Sequence, residues 1–187
     1  MANGRDAWIS AAAVALLFAG GRAAHAQEAS AVFPIAQPVQ FETGDTWSQT
    51  NGRFRLFGVQ SCLRGTTYTD PAGVRRDCGQ ASIAQLAAVF KVASPTCQKV
   101  APANDGAFFV VCGGTIDSRP IEIGNAMIAS GYAFAAATPD GKPLNMQYLI
   151  SEVTAKNSRS GLWAAPDLPH PVHTLLRLLR QQSPRGQ

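Results

Sequence analysis

Four cysteines, Cys62, Cys78, Cys97 and Cys112, limit what this chain can fold into more than any other feature, because the residues before them read as an export signal. Arg5 supplies a weak positive start and Ala7 to Gly20 form a short apolar run; Ala24-His25-Ala26 then place small residues around a cleavage point before Gln27. That order is the pattern of a secretory signal peptide over residues 1–26, and the run is too short and too Ala-rich for a comfortable membrane anchor. An uncleaved N-terminal anchor is the alternative. An exported chain, periplasmic or secreted, meets oxidising conditions, where an even cysteine count favours two disulfides over a metal site. No cysteine pair has CxxC spacing, and the histidines beyond the signal, His170 and His173, stand in the tail, which argues against zinc in the core.

Turn geometry suggests the pairing. The runs TCQKV (96–100) and FFVVC (108–112) flank Pro102-Ala103-Asn104-Asp105-Gly106, which has the composition of a hairpin turn. In an antiparallel hairpin, facing residues share a constant sum of residue numbers. A turn centred between Asn104 and Asp105 sets that sum at 209, which Cys97 and Cys112 satisfy. Cys62 and Cys78 are left for the second bridge, which would close the polar segment between them. Each bridge closes a loop of about 15 residues, worth roughly 3 kcal/mol on chain-entropy grounds. Four free thiols acting as small apolar side chains are the alternative, and export disfavours it.

Beyond the signal, about 160 residues remain, enough for one domain with its own core. Taking Arg5, Arg22 and Asp6 from 16 basic and 12 acidic residues leaves 14 and 11, a net charge of +3. So mild an excess permits contact with a polyanion without demanding one. No second apolar run approaches membrane length, so an integral membrane protein is not expected.

The chain divides into the signal (1–26), a plain connector (27–37), a domain (38–164) and a tail (165–187). Strands are expected at VQFE (39–42), DTWSQ (45–49) and RFRLFGV (53–59), with Thr50-Asn51-Gly52 as a hairpin turn. Arg64 to Asp77 has turn residues and no periodicity, and reads as a loop. Asp77 can N-cap a helix to about Ala93, on which Ile83, Leu86, Ala87 and Phe90 share a face. After the cysteine hairpin, a short helix spans about Ile121 to Ser130 and ends at Gly131. A third begins at Pro143 and reaches about Ser158, with Leu149 and Val153 on one face and Tyr148, Glu152 and Ala155 on another. Pro166, Pro169 and Pro171 punctuate the tail, where Val172, Leu175, Leu176 and Leu179 make an apolar stripe beside Arg177 and Arg180. That stripe suits a membrane-surface or partner helix, or a short helix docked on its own domain, the reading we favour.

Strands, a helix, a hairpin and two further helices make an α+β chain, for which an OB-type barrel is one option. Particular residues narrow it. Gly44-Asp45-Thr46 before a strand, Phe54-Arg55-Leu56 leading to Val59, and Gly79-Gln80-Ala81-Ser82 opening a helix resemble the thermonuclease (staphylococcal nuclease-like) family. So do Gly131-Tyr132-Ala133, then Tyr148, Glu152 and Ala155, then Gly161-Leu162-Trp163. The resemblance spans roughly Val39 to Trp163 and implies a small five-stranded OB-type β-barrel with three helices.

Such a resemblance implies calcium-dependent hydrolysis of DNA and RNA phosphodiesters: carboxylates hold the cation, a glutamate manages the attacking water and two arginines hold the phosphate. Asp45 matches the last acid of the family's DGDT motif and is the candidate calcium ligand, while Thr43 stands in place of its first aspartate. Arg55 matches the phosphate-binding arginine; a buried or half-buried Asp45–Arg55 pair that supports the barrel is the alternative reading of both. Where the family has V-D-x-P-E, this chain has Val59-Gln60-Ser61-Cys62-Leu63, so Gln60 replaces a metal-binding acid and Leu63 the catalytic glutamate. The family's Y-G-R turn becomes Asp105-Gly106-Ala107, without the second arginine. Arg64, Arg75 and Arg76 are candidates to bind phosphate in its place, with Asp70 and Asp77 as substitute carboxylates; ordinary surface charges are the plainer reading.

Two functions follow. One is an exported, catalytically impaired domain that binds a nucleic acid or a protein partner through an OB-type surface, with Trp47, Phe54 and Phe57 as aromatic candidates unless alternation along the strands buries them. The other is a divergent nuclease, and calcium is expected as cofactor only in that case. We favour the first.

Overall fold

Short strands joined by polar turns build most of this molecule. The structure, a computed structural model, describes residues 32–182, so the signal-peptide reading of residues 1–26 lies outside it. Strands β1 (Val32–Pro34), β2 (Gln40–Phe41), β3 (Thr46–Gln49) and β4 (Gly52–Leu56) are followed by β5 (Val59–Ser61), β6 (Thr67–Thr69) and β7 (Arg75–Asp77). Helix α1 (Cys78–Ala93) leads to β8 (Thr96–Pro102), β9 (Phe108–Ile116) and β10 (Arg119–Glu122). Then come α2 (Ile123–Ala129), β11 (Ala133–Ala135), α3 (Met146–Asn157), a 3-10 turn (Gly161–Ala164) and α4 (Pro171–Gln182).

The arrangement is α+β: a curled, half-barrel mixed sheet with four helices. Strand order is β1-β8-β9-β4-β3-β2, with β10 also on β9. The β4–β9 pair is parallel and every other pair antiparallel. β5 pairs with β11, and β6 with β7, apart from the main sheet.

Alternation along β9 turns Val110 and Cys112 inward, and β4 does the same with Phe54 and Leu56. Trp47 of β3 packs on Phe54 and edge-on to Phe90 of α1, with ring centroids 5.9 and 4.9 Å apart. Such aromatic pairs add about 0.5–1.5 kcal/mol each beyond their buried area. Ile123, Met127 and Ile128 of α2 complete the main core, while Cys62, Cys78, Phe134 and Leu162 form a smaller one.

Asp77 caps α1 by accepting from the Gln80 amide, and Ser94 ends the helix in a left-handed conformation at φ 44°. Leu86 and Phe90 of its expected face are buried, joined by Val89 and Ala93. In the cysteine hairpin, Cys97 faces Cys112 and the two are bonded, with Cα atoms 4.0 Å apart. The turn itself differs from expectation. Ala101 faces Phe109, a sum of 210, and an irregularity between Lys99 and Ala101 restores 209 at the cysteines. Cys62 is bonded to Cys78, Cα to Cα 5.6 Å.

Several expectations are corrected. Residues 32–34 of the supposed connector form β1, which pairs with β8. RFRLFGV is not one strand, because Gly58 takes φ +72° and turns the chain from β4 into β5. The first hairpin turns at Thr50-Asn51, since Gln49 already faces Gly52, and Gly52 alone of these takes positive φ, at +141°. The segment read as a loop after Arg64 folds into the small β6–β7 hairpin. α3 starts at Met146 rather than Pro143, because Asn145 accepts from the amides of Gln147 and Tyr148. Only the Tyr148, Glu152 and Ala155 face of α3 is buried; Val153 is exposed. The strands outnumber the expected five, while the tail does carry its expected short helix, α4.

Candidate functional site

Asp45 is buried in the turn between β2 and β3. Gly44 beside it lies against the start of α1: a Cβ there would come within 2.3 Å of the Ser82 Cβ. Asp45 Oδ1 accepts from the hydroxyls of Thr43 and Thr46, the latter at 3.0 Å, and Oδ2 accepts from the Ser61 amide at 3.0 Å. Three of a carboxylate's roughly four acceptor positions are thus filled by the protein itself. The Asp45 carbonyl also accepts from the Leu56 amide at 2.9 Å. One residue therefore ties the β2–β3 turn, the end of β4 and the end of β5 together.

Arg55 reaches Asp45 only through Thr46. Its Nε donates to Thr46 Oγ1 at 3.0 Å, and that hydroxyl donates to Asp45. The far end of the guanidinium turns instead to Asp105, where Nη2 donates to Oδ2 at 2.9 Å. Arg53 shares the same oxygen at 2.8 Å and donates through Nε to Glu42 at 2.7 Å. Asp105 is held below the usual carboxylate range: the Arg53 hydrogen bond, helped by the charges of Arg55 and Arg53 and the Ala107 amide, outweighs an upward push from burial. In Glu42 burial pushes upward, but hydrogen bonds from Ser48 and Arg53 outweigh it and the net shift is downward. This network of two arginines and two acids joins β4 to the β8–β9 turn. Nothing in the spacing of residues 42, 53, 55 and 105 announces it.

Asp45 and Arg55 line a cleft of about 410 Å³ together with Val59, Leu63, Phe109 and Leu175. Gln60 also lines it, its amide nitrogen donating to the Ser61 carbonyl at 2.9 Å. Leu63 stands in the wall, where it offers no proton acceptor. Ala107 is 1% exposed, so an arginine at this position would be driven into the interior rather than across the cleft.

The substitute groups are scattered. Arg64 lies at the cleft rim and is exposed. Arg75 and Arg76 sit on β7; Arg75 donates to Thr67 Oγ1, and Arg76 pairs with Asp70 at 2.6 Å. Neither lines the cleft. Asp70 is shifted down, chiefly by the Arg76 hydrogen bond, and also accepts from the Ala72 and Val74 amides. Asp77 accepts from the Gly65 amide at 2.7 Å as well as capping α1. Both acids are occupied with local structure.

Of the three aromatic candidates, strand alternation buries two. Trp47 and Phe54 are both 0% exposed, and Phe57 packs edge-on against Phe109. The other matching residues hold the helices. Tyr148 donates to Glu122 at 2.8 Å, and Glu122 caps α2 through the Gly124 and Asn125 amides. Burial and the adjoining Glu122 keep the Tyr148 phenol well above its ordinary range. Glu152 accepts from the Ala135 amide at 2.6 Å and meets His170 Nε2 at 2.8 Å.

No protein-family model matches the chain, and no curated protein matches it significantly. Among the described residues no helix is long and apolar enough to cross a membrane.

Proposed function

We propose that the chain is an exported, disulfide-bonded domain of the thermonuclease type, built on an OB-type barrel, whose cleft binds a partner and does not hydrolyse phosphodiesters. The observation that carries this reading is that the cleft's two inherited polar groups are committed to the fold. Asp45 accepts from Thr43, Thr46 and Ser61, and Arg55 is held by Thr46 and Asp105.

A calcium ion takes six to eight oxygen ligands, several of them charged. Asp45 is the carboxylate among the cleft-lining residues, and a cation there would have to displace the Thr43 and Thr46 hydroxyls and the Ser61 amide, which tie the β2–β3 turn to β5. The donor set does not suit that ion. Leu63 cannot take a proton from water, and no second arginine faces the cleft from position 107. General-base and charge-neutralising groups are each worth orders of magnitude in rate, and every 1.36 kcal/mol lost is a factor of ten. What remains is a mostly apolar recess with arginines at its edge, a better shape for holding apolar surface than for attacking phosphorus.

The test is a nuclease assay on the oxidised protein with calcium, on single- and double-stranded DNA and on RNA. No cleavage above background is expected, and Asp45→Ala and Arg55→Ala should be indistinguishable from the parent. Robust calcium-dependent cleavage abolished by Asp45→Ala would establish the divergent nuclease instead.

A further inference from the structure

Helix α4 joins the domain where two imidazoles meet a buried carboxylate. Both oxygens of Glu152 on α3 are engaged: Oε2 accepts from the Ala135 amide at 2.6 Å, and Oε1 meets His170 Nε2 at 2.8 Å. Beside an ionised Glu152 that nitrogen carries the hydrogen, so a second proton on the His170 ring would sit on Nδ1. Nδ1 is buried and has no hydrogen-bond partner among the described residues. Phe134 of β11 and Trp163 of the 3-10 turn lie against the same ring, with centroids 5.0 and 5.7 Å away, and His173 stacks on it at 4.3 Å.

His173, in the first turn of α4, is exposed, so protons reach it from solvent. The other charges that act on it are Lys156 of α3 and Arg177 of α4, both positive. Asp167, the nearest acid along the tail, is engaged elsewhere, accepting from the Thr69 amide and hydroxyl at 2.9 and 2.7 Å. Glu152 can therefore match one imidazolium. A second, stacked on the first, has no counter-charge. In keeping with this, burial and the charges of His170, Lys156 and Arg177 hold His173 below the ordinary imidazole value, while Glu152 pulls the other way. A depressed value in the docked state means that the undocked helix binds the proton more tightly. Docking is thus fully favoured above the ordinary imidazole range and weakens as the pH falls through it.

Little else fastens the helix. Past its root Val172 is buried and Leu175 and Leu176 are half-buried, but Leu178 and Leu179 are 46% and 47% exposed. Twelve residues make a helix with little stability of its own.

We propose that His170 and His173 form a proton-operated latch: α4 is docked while the pair carries at most one proton, and leaves the domain when both rings are protonated. Leu175 then leaves the wall of the cleft that contains Asp45. Asp167 keeps its hold on Thr69 through the imidazole range, because the Thr69 hydrogen bonds keep its carboxyl below the usual value, so the chain pivots between Asp167 and Pro171. The latch stands apart from whatever the cleft binds.

The experiment is hydrogen exchange on the full oxidised chain at about pH 8 and about pH 5, either side of the imidazole range, with rates referred to the unstructured chain at each pH. In acid, amides 175–181 should lose protection at least about tenfold, while β8 and β9 keep theirs. The two imidazoles should titrate in two separated steps. His173→Gln, at an exposed position, removes the second charge; α4 should stay protected at both pH values and His170 should titrate in one step. Should that variant lose its near-ultraviolet dichroism, His170→Gln, whose amide can still donate to Glu152, is judged by the same exchange criterion. The latch is refuted if α4 is equally protected at both pH values, or if β8 and β9 open together with it. It is equally refuted if His173→Gln releases α4 in acid as the parent does, since carboxylate protonation would then be the cause.

Discussion

The two disulfides close loops of nearly equal length, with sequence separations of 16 for Cys62–Cys78 and 15 for Cys97–Cys112, but the chain inside them differs. Between Cys97 and Cys112 it forms the longest antiparallel ladder of the main sheet, and both cysteines belong to the main core. Between Cys62 and Cys78 it forms a small hairpin of three facing pairs, exposed from Pro71 to Arg76, over the smaller core. A covalent bridge restricts the unfolded chain by an amount set by loop length, so the two should act alike there. In the folded state they do different things. One reinforces a ladder that its own hydrogen bonds and packing already specify; the other closes an exposed polar segment held otherwise by polar contacts such as Gly65–Asp77 and Thr69–Asp167.

Removing the bridges is the strongest way to break this comparison. Replacing Cys97 and Cys112 together by alanine should cost about 3–5 kcal/mol, since a core contact goes with the chain restriction. Replacing Cys62 and Cys78 should cost about 2–3 kcal/mol in chemical denaturation. The sharper contrast is local: the second variant should lose hydrogen-exchange protection selectively at residues 64–77, whereas the first should weaken β8 and β9 only through global unfolding. Equal costs with no local loss in either variant would show that the two loops are equivalent.

Glycine substitutions sharpen it at a smaller scale. Gly44→Ala places a Cβ 2.3 Å from the Ser82 Cβ and 2.8 Å from backbone, so the β2–β3 turn must move off α1. A loss of about 2–3 kcal/mol is expected, as for other overpacked sites. Gly65, inside the Cys62–Cys78 loop, has φ +82° and nothing within 4 Å, so Gly65→Ala meets only the left-handed backbone penalty of about 1 kcal/mol. Thermal denaturation of both variants should keep that order.

The smallest effect belongs to Asp105, which joins the cysteine hairpin to Arg53 and Arg55. Its carboxyl is depressed in the folded protein, so its contribution is present above the unfolded carboxylate range and is lost as the pH falls through the folded value. The side chain is 40% exposed, which limits the effect to less than about 1 kcal/mol. Asp105→Asn should lower the melting temperature slightly at neutral pH, and the gap to the parent should close in acid. A gap unchanged at low pH would mean that the arginines do not stabilise through this carboxylate.

Local rules made much of the fold legible. Asp77 as a helix cap and the apolar spacing to Phe90 specify α1 without any distant contact. The facing of Cys97 and Cys112 was within reach of a turn and an arithmetic constraint, although the true tip lies half a residue away and an irregularity near Val100 compensates. Boundaries failed where one side chain or one φ decided them, at Gly58 and Asn145. The candidate site was legible only as a set of departures: Gln60, Leu63 and Ala107 cannot supply what the family resemblance requires, whatever the fold does.

Sequence by itself determined the cysteine count, the helix caps, the strand alternation and the residue types at positions 60, 63 and 107, because these depend on residue identity and near neighbours. Tertiary structure decided which charges are committed and which merely exposed. Arg55 turns to Asp105, fifty residues away, Asp45 accepts from Ser61 of β5 and, through its carbonyl, from Leu56 of β4, and Leu175 of α4 lines the cleft from the far end of the chain. Hydrogen bonds and apolar contacts act over a few ångströms of space, so chain separation carries no record of them until the sheet has curled and brought those segments together.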